Sequence, residues 1–131
     1  MAHPISESEI EKTETQIGAK LPSAYRESMK ASNGKDHAAT DEDEWELHPI
    51  KDTSDRKRIS LTAYDILKET ESARDWRGFP TEGIVIGNNG MGDLLILRKT
   101  KEGIEDVIYA FWHETSEITK IADSFDKLER E

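Results

Sequence analysis

The chain contains no cysteine, which excludes disulfides, thiolate zinc sites, iron–sulfur clusters and a cysteine nucleophile. Apolar residues are also scarce, at 34% against 35% charged over 131 residues. A chain of this length makes one domain, residues 1–131, burying roughly two-thirds of its unfolded surface. The core is therefore small beneath a charged coat. Long hydrophobic runs are missing as well. The longest, Val107-Ile108-Tyr109-Ala110-Phe111-Trp112, falls far short of the ~20 residues that a spanning helix needs. Met1-Ala2-His3-Pro4-Ile5-Ser6 offers neither a cationic start nor an apolar stretch. No signal peptide is visible there, and a cytoplasmic location is expected.

Positive charge is outnumbered, with 18 Lys and Arg against 28 Asp and Glu and a formal net charge of −10. Divided after Asp65, each half carries 14 acids and 9 bases, so the acidity is global and not a tail. Direct nucleic-acid binding needs Lys and Arg clustered on phosphates and is disfavoured. So is an anionic membrane surface. A basic protein partner remains open.

Local signals punctuate the chain well. Ser6 with Glu9 reads as a capping box, and Ile5 with Ile10 as the hydrophobic staple around it. Gly18 stops that helix. Leu21-Pro22 opens a second one, with Tyr25 and Met29 as its four-residue pair and Asn33-Gly34 as its end. Residues 35–44 are polar, and Trp45-Glu46-Leu47-His48 alternates as a strand stopped by Pro49. Residues 51–58 carry no apolar side chain and read as a surface loop. The spacing of Ala63, Ile66, Thr70, Ala73 and Trp76 predicts a helix over 62–76, ended by Gly78-Phe79-Pro80. Ile84-Val85-Ile86 and Leu94-Leu95-Ile96-Leu97, joined by a glycine-rich loop, predict a hairpin. Strands over 107–112 and 118–121 follow, and then a last helix capped by Ser124 that carries Phe125 and Leu128. Mostly adjacent strands imply an antiparallel sheet with helices packed on it, an α+β domain. Helical and alternating spacing predicts a core of Ile10, Ile17, Leu21, Tyr25, Met29, Leu47, Ile86, Leu94, Ile96, Val107, Tyr109, Phe111, Ile121, Phe125 and Leu128, one face of each element.

Catalytic constellations are hard to find. Gly87, Gly90 and Gly92 are spaced in the wrong order for a dinucleotide fingerprint, and their loop leads into a strand. Asn88, Asn89 and Asp93 lack the alternating acids of a calcium loop. His3, His37, His48 and His113 are too far apart in sequence to suggest a zinc pair. With no nucleophile–base or metal set visible, the reading is no enzyme and no cofactor. The run Asp41-Glu42-Asp43-Glu44, continued by Glu46, is either a solvated loop or a docking patch for Lys and Arg. Trp45 beside it is either an aromatic anchor or core.

Order and spacing add a resemblance. Ile10 to Gly18 leading to Leu21-Pro22, Tyr25 and Asn33-Gly34 resembles the opening of the SUKH superfamily. That domain is shared by a fungal cell-wall-synthesis regulator and many bacterial immunity proteins. Ile84-Val85-Ile86-Gly87 with Gly92-Asp93-Leu94 resembles its central hairpin. Residues 107–113 resemble the strand that ends in an aromatic and His, and Ile121-Ala122-Asp123-Ser124-Phe125 with Leu128 its closing helix. The resemblance implies an α+β domain with a mainly antiparallel, curved sheet and no catalysis. It also implies an immunity protein that neutralises a cognate toxin, basic and possibly a nuclease, of a contact-dependent or polymorphic toxin system. The alternative is a regulatory or scaffold module of the same fold. On either reading nucleic acid and membrane are not direct partners. The residues expected to meet a toxin are Asp41, Glu42, Asp43, Glu44 and Glu46 as the electrostatic part. Trp45, Asp93, Trp112 and His113 are expected as the packed part.

Overall fold

The computed structural model describes residues 3–34, 36–40 and 43–130. Helix α1 (Glu7–Ile17) starts at Ser6, whose hydroxyl accepts from the Glu9 amide at 3.4 Å, and ends at Gly18. Only half of the expected capping box forms. The Glu9 carboxylate turns away from Ser6 and accepts from the Thr53 amide and hydroxyl and from Lys12. Helix α2 (Ser23–Ala31) follows Pro22 and is bound to α1 by Arg26, which reaches both Glu7 and the buried Glu14.

Two strands then pair antiparallel, β1 (His37–Ala39) and β2 (Glu44–Leu47). Strand β1 lies in the stretch that reads only as polar in sequence. Ala38 at its centre is fully buried, paired with Trp45 on one side and Arg130 on the other.

A helix that the sequence did not predict, α3 (Arg56–Leu61), comes first, and of the expected helix over 62–76 only α4 (Ile66–Ala73) forms, with a break between the two. The break has a local cause. Thr62 accepts from the buried Asp52 amide and donates to the Arg58 carbonyl, which fastens the end of α3. Asp65 then caps a new start through the Leu67 and Lys68 amides. Part of the expected 51–58 loop is therefore helical. Ile66, Thr70 and Ala73 form the buried stripe of α4, whereas Ala63 and Trp76 are exposed.

Strands β3 (Gly83–Asn88) and β4 (Leu94–Thr100) form the expected antiparallel hairpin. Its register shifts between Val85 and Gly87, and a Cβ on Gly87 would lie 2.8 Å from the Glu46 carbonyl oxygen. Strands β5 (Gly103–Ile104), β6 (Ile108–Trp112) and β7 (Glu117–Ala122) follow. The expected closing helix is only a 3-10 turn, Phe125–Lys127, after which β8 (Glu129–Arg130) pairs with β1. The Ser124 hydroxyl turns to Asp126 and leaves that turn without a side-chain cap.

All pairings are antiparallel, in the order β7-β6-β4-β3-β2-β1-β8 with β5 on the far end of β4. The fold is α+β with a curled, half-barrel sheet. Its inner face holds Trp45, Leu47, Ile84, Ile86, Leu95 and Leu97 against Ile10, Leu21, Tyr25 and Met29 of α1 and α2. Its outer face holds Val85, Leu94, Ile96 and Phe111 beneath Ala73 and Phe79. The central hairpin is thus buried on both faces, where alternation led to one. Ile17, Val107, Tyr109 and Ile121 of the expected core are only half-buried. Among the described residues no helix is long and apolar enough to cross a membrane.

Two polar clamps hold the ends. The Arg130 guanidinium donates to Asp36, to the Ser28 carbonyl and hydroxyl and to the Ser32 carbonyl, closing the C-terminal end of α2. The buried Asn33 amide bridges both backbone groups of Ile50, donating to its carbonyl at 2.7 Å and accepting from its N–H at 2.8 Å. Asn33→Ala leaves both groups buried and unpaired, so urea unfolding should show a loss of about 2–4 kcal/mol.

Burial works to raise the Glu9 pKa, but the Lys12 ammonium and the two Thr53 donors outweigh it and hold the carboxyl at about 2, against an ordinary 4.5. A depressed carboxylate stabilises the fold above its unfolded pKa and ceases to do so as pH falls through its folded one. Urea midpoints should therefore fall as pH drops from about 4.5 to about 2. In Glu9→Gln that fall should be shallower, from a lower starting stability at neutral pH.

Candidate protein-binding surface

Strand β2 divides its side chains between two environments. Trp45 and Leu47 enter the core, and Glu44 and Glu46 face solvent on the outer side. Cross-strand neighbours carry that outer side across the sheet in one row: His37, Glu46, Asn88, Leu94, Phe111 and Ile118. The row begins polar and acidic and ends apolar. Its apolar end is roofed by Trp76 and Phe79, whose rings lie 6.5 and 5.5 Å from that of Phe111.

The loop between β3 and β4 is pinned by its own side chains. Asn88 accepts from the Gly90 amide, and Asn89 accepts from the Met91 and Asp93 amides. The Asn89 amide group donates to Asp93 at 3.0 Å. The other Asp93 oxygen takes the His113 backbone N–H at 3.0 Å and its ring Nδ1 at 2.8 Å. An ionised carboxylate only accepts, so the ring donates through Nδ1. Burial opposes the Asp93 charge, but Asn89 and both His113 donors keep its pKa below the ordinary value. Gly92 completes the latch. Its φ is +97°, and a Cβ there would meet the His113 ring at 3.0 Å. The result is a rigid loop that holds Met91 68% exposed at its tip.

His48 sits just below. Its Nε2 is 3.4 Å from the Asn88 amide nitrogen and 3.8 Å from Glu69. Burial pushes its pKa down, with Glu69 and Glu46 pulling the other way. Among the described residues no three His, Asp or Glu side chains gather as metal ligands would.

The expected binding residues therefore divide. Glu44 and Glu46 share the exposed outer face, with Asp43 half-buried at its edge. Asp93 and His113 meet directly at the adjoining loop. Asp41 and Glu42 lie outside the described residues. Trp45 is 0% exposed, so its indole is core and not a contact for a partner, a correction imposed by the inward phase of β2. Trp112 turns inward too. Its half-buried ring lies 6.0 Å from that of Trp45, and its Nε1 donates to Thr119 at 2.8 Å. Sequence reasoning missed Asn89 as the organiser of the loop, although Asn before a glycine-rich turn is a recognisable signal. It also missed the meeting of His48, Asn88 and Glu69, which only the fold brings about.

The family model described as SMI1 / KNR4 family (SUKH-1) matches residues 4–131. No curated protein and no solved structure matches the chain.

Removing the latch should loosen the loop before it unfolds the domain. Asp93→Ala deprives His113 and Asn89 of their acceptor. Amide exchange at residues 89–93 and at His113 should accelerate, with a global loss of about 1–2 kcal/mol. Unchanged exchange there, measured by NMR, would show that the loop is held by something else.

Proposed function

Because the chain belongs to the SMI1/KNR4 family (SUKH-1), we propose that it is a non-enzymatic immunity domain, which binds a cognate basic toxin and blocks its active site or substrate path. The family includes toxin-immunity proteins and is generally non-catalytic. The observation that carries the reading is the outward acidic face of β2, continuous through Asn88 with the latched loop and His113. A nuclease is basic around its phosphate-binding cleft, and a chain of net charge −10 complements such a surface.

Asp43, Glu44 and Glu46, with Asp41 and Glu42 of the same run, steer the encounter. The rigid loop with Asp93 and His113 supplies a surface that needs no ordering on binding, which favours affinity. Trp112, at the inner side of the same rim, forms the packed part.

The test is a pull-down with growth rescue against the toxin encoded beside this gene. Binding and rescue support immunity. Failure of both replaces it with a regulatory or scaffold module of the same fold. With the toxin in hand, Asp41→Asn, Glu42→Gln, Asp43→Asn and Glu44→Gln together should slow association about tenfold at low salt and flatten its salt dependence. Trp112→Ala should act on dissociation instead, by about 2 kcal/mol, read by surface plasmon resonance.

A further inference from the structure

The helical flank carries a second surface of opposite character. It lies at the end of β3 and β4 remote from the latched loop, a strand's length of roughly 20 Å away. A trough of two lobes runs there, and both lobes are lined by Gln16, Leu67 and Glu71. One lobe, about 290 Å³, adds Arg74, Glu82 and Lys99. The other, about 410 Å³, adds Lys51, Ile59, Ala63 and Lys68. Its apolar part is Ile59, Ala63 and Leu67, and Ile59 is left 46% exposed.

The charges around the trough are the reverse of those of the chain as a whole. The lysine ion pairs among the described residues belong to Lys12, Lys30 and Lys120, so Lys51 and Lys68 stand without a carboxylate. Arg74 donates to the Thr81 and Gly83 carbonyls and Lys99 to the Ile17 carbonyl, neutral partners that leave both charges uncompensated. Glu82 is held by Arg98 at 3.1 Å, and Asp65 is occupied in capping α4. The pattern is therefore two cations, then Glu71 at the junction, then two cations.

We propose that this trough docks a segment of a partner protein that is acidic at both ends and apolar between. The apolar side chains cover Ile59, Ala63 and Leu67. Carboxylates meet Lys51 and Lys68 at one end and Arg74 and Lys99 at the other. Glu71 repels a carboxylate at the centre and accepts a backbone N–H there. Charge complementarity selects this occupant, since a basic segment gains Glu71 and the buried, amide-bound Asp65 but faces four cations. The assignment stands apart from the acidic face of β2 and does not depend on the immunity reading.

The experiment is an NMR titration of the labelled chain with a synthetic peptide reading Asp-Glu-Leu-Gln-Leu-Glu-Asp, set against a control reading Lys-Arg-Leu-Gln-Leu-Arg-Lys. The acidic peptide should give saturable shifts centred on Gln16, Ala63, Leu67 and Lys68. Lys51→Glu with Lys68→Glu should weaken it at least tenfold while circular dichroism stays unchanged. Glu71→Gln should bind as well or better. Equal binding of the basic control, shifts centred on β2, or none at up to about 1 mM peptide would overturn the proposal. Concentration-dependent shifts of the same residues without peptide, abolished in the lysine variant, would assign the trough to a second copy and overturn it too.

Discussion

Trp45 and Trp112 touch across the inside of the sheet, although β3 and β4 lie between their strands. Neighbouring strands are about 4.8 Å apart, so three steps across a flat sheet separate two side chains by about 14 Å. The ring centroids are 6.0 Å apart, a closeness that the strong curl of the sheet brings about. Curling is how a chain with so few apolar residues covers itself. The inner face closes partly on its own side chains and partly on α1 and α2. The convex face then needs only a short roof, supplied by Ala73, Phe79 and Trp76. The contact has a cost at Trp45, whose buried Nε1 finds no acceptor among the described residues. Trp45, fully buried there, is not free to serve as a surface anchor, whereas Trp112 keeps part of its ring exposed.

Charge is distributed by the same logic. Glu9, Glu14, Asp52 and Asp65 are buried, and each serves a backbone amide or a cation of its own fold. The net charge of −10 therefore overstates the carboxylates available to a partner. What remains is sorted by surface, with acids on the outer side of β2 and uncompensated bases along α4 and the end of β4. A sum over the sequence conceals that division, because four of its acids work inward.

Much of this was legible beforehand where the signal was local. Ser6, Gly18, Pro22 and the glycine-rich loop marked element ends correctly because caps and turns depend on a few adjacent residues. Strands β1 and β8 were not legible. Three and two residues long, they have no period of their own, and each exists through its partners, β2 and β8 for β1 and β1 for β8. Helix α3 escaped because none of its residues is buried, so no apolar stripe betrays it. In the candidate surface, Glu44 and Glu46 stood out as members of an acidic run, and only Glu46 lay in the alternation over 45–48. The same alternation left Trp45 open between core and anchor, since a period fixes which residues share a face and not which face turns inward.

The Arg130 clamp bears on the order in which the chain can acquire its shape. Its guanidinium meets Asp36 across 94 positions of sequence. A ribosome delivers the chain from its amino end, so α1 and α2 can associate through Arg26, Glu7 and Glu14 while the rest is still being made. Strand β1 cannot complete its pairing until Glu129 and Arg130 have emerged. Contacts of such separation form slowly, because a large loop must close before they repay its entropy. During that interval the β1 edge is open to strands of other chains. The brevity of β1, together with Lys and Glu residues in the segments around it, limits what can pair there. The exposure of a nascent strand edge to other chains thus becomes a property that Arg130, 94 positions downstream of Asp36, helps to set.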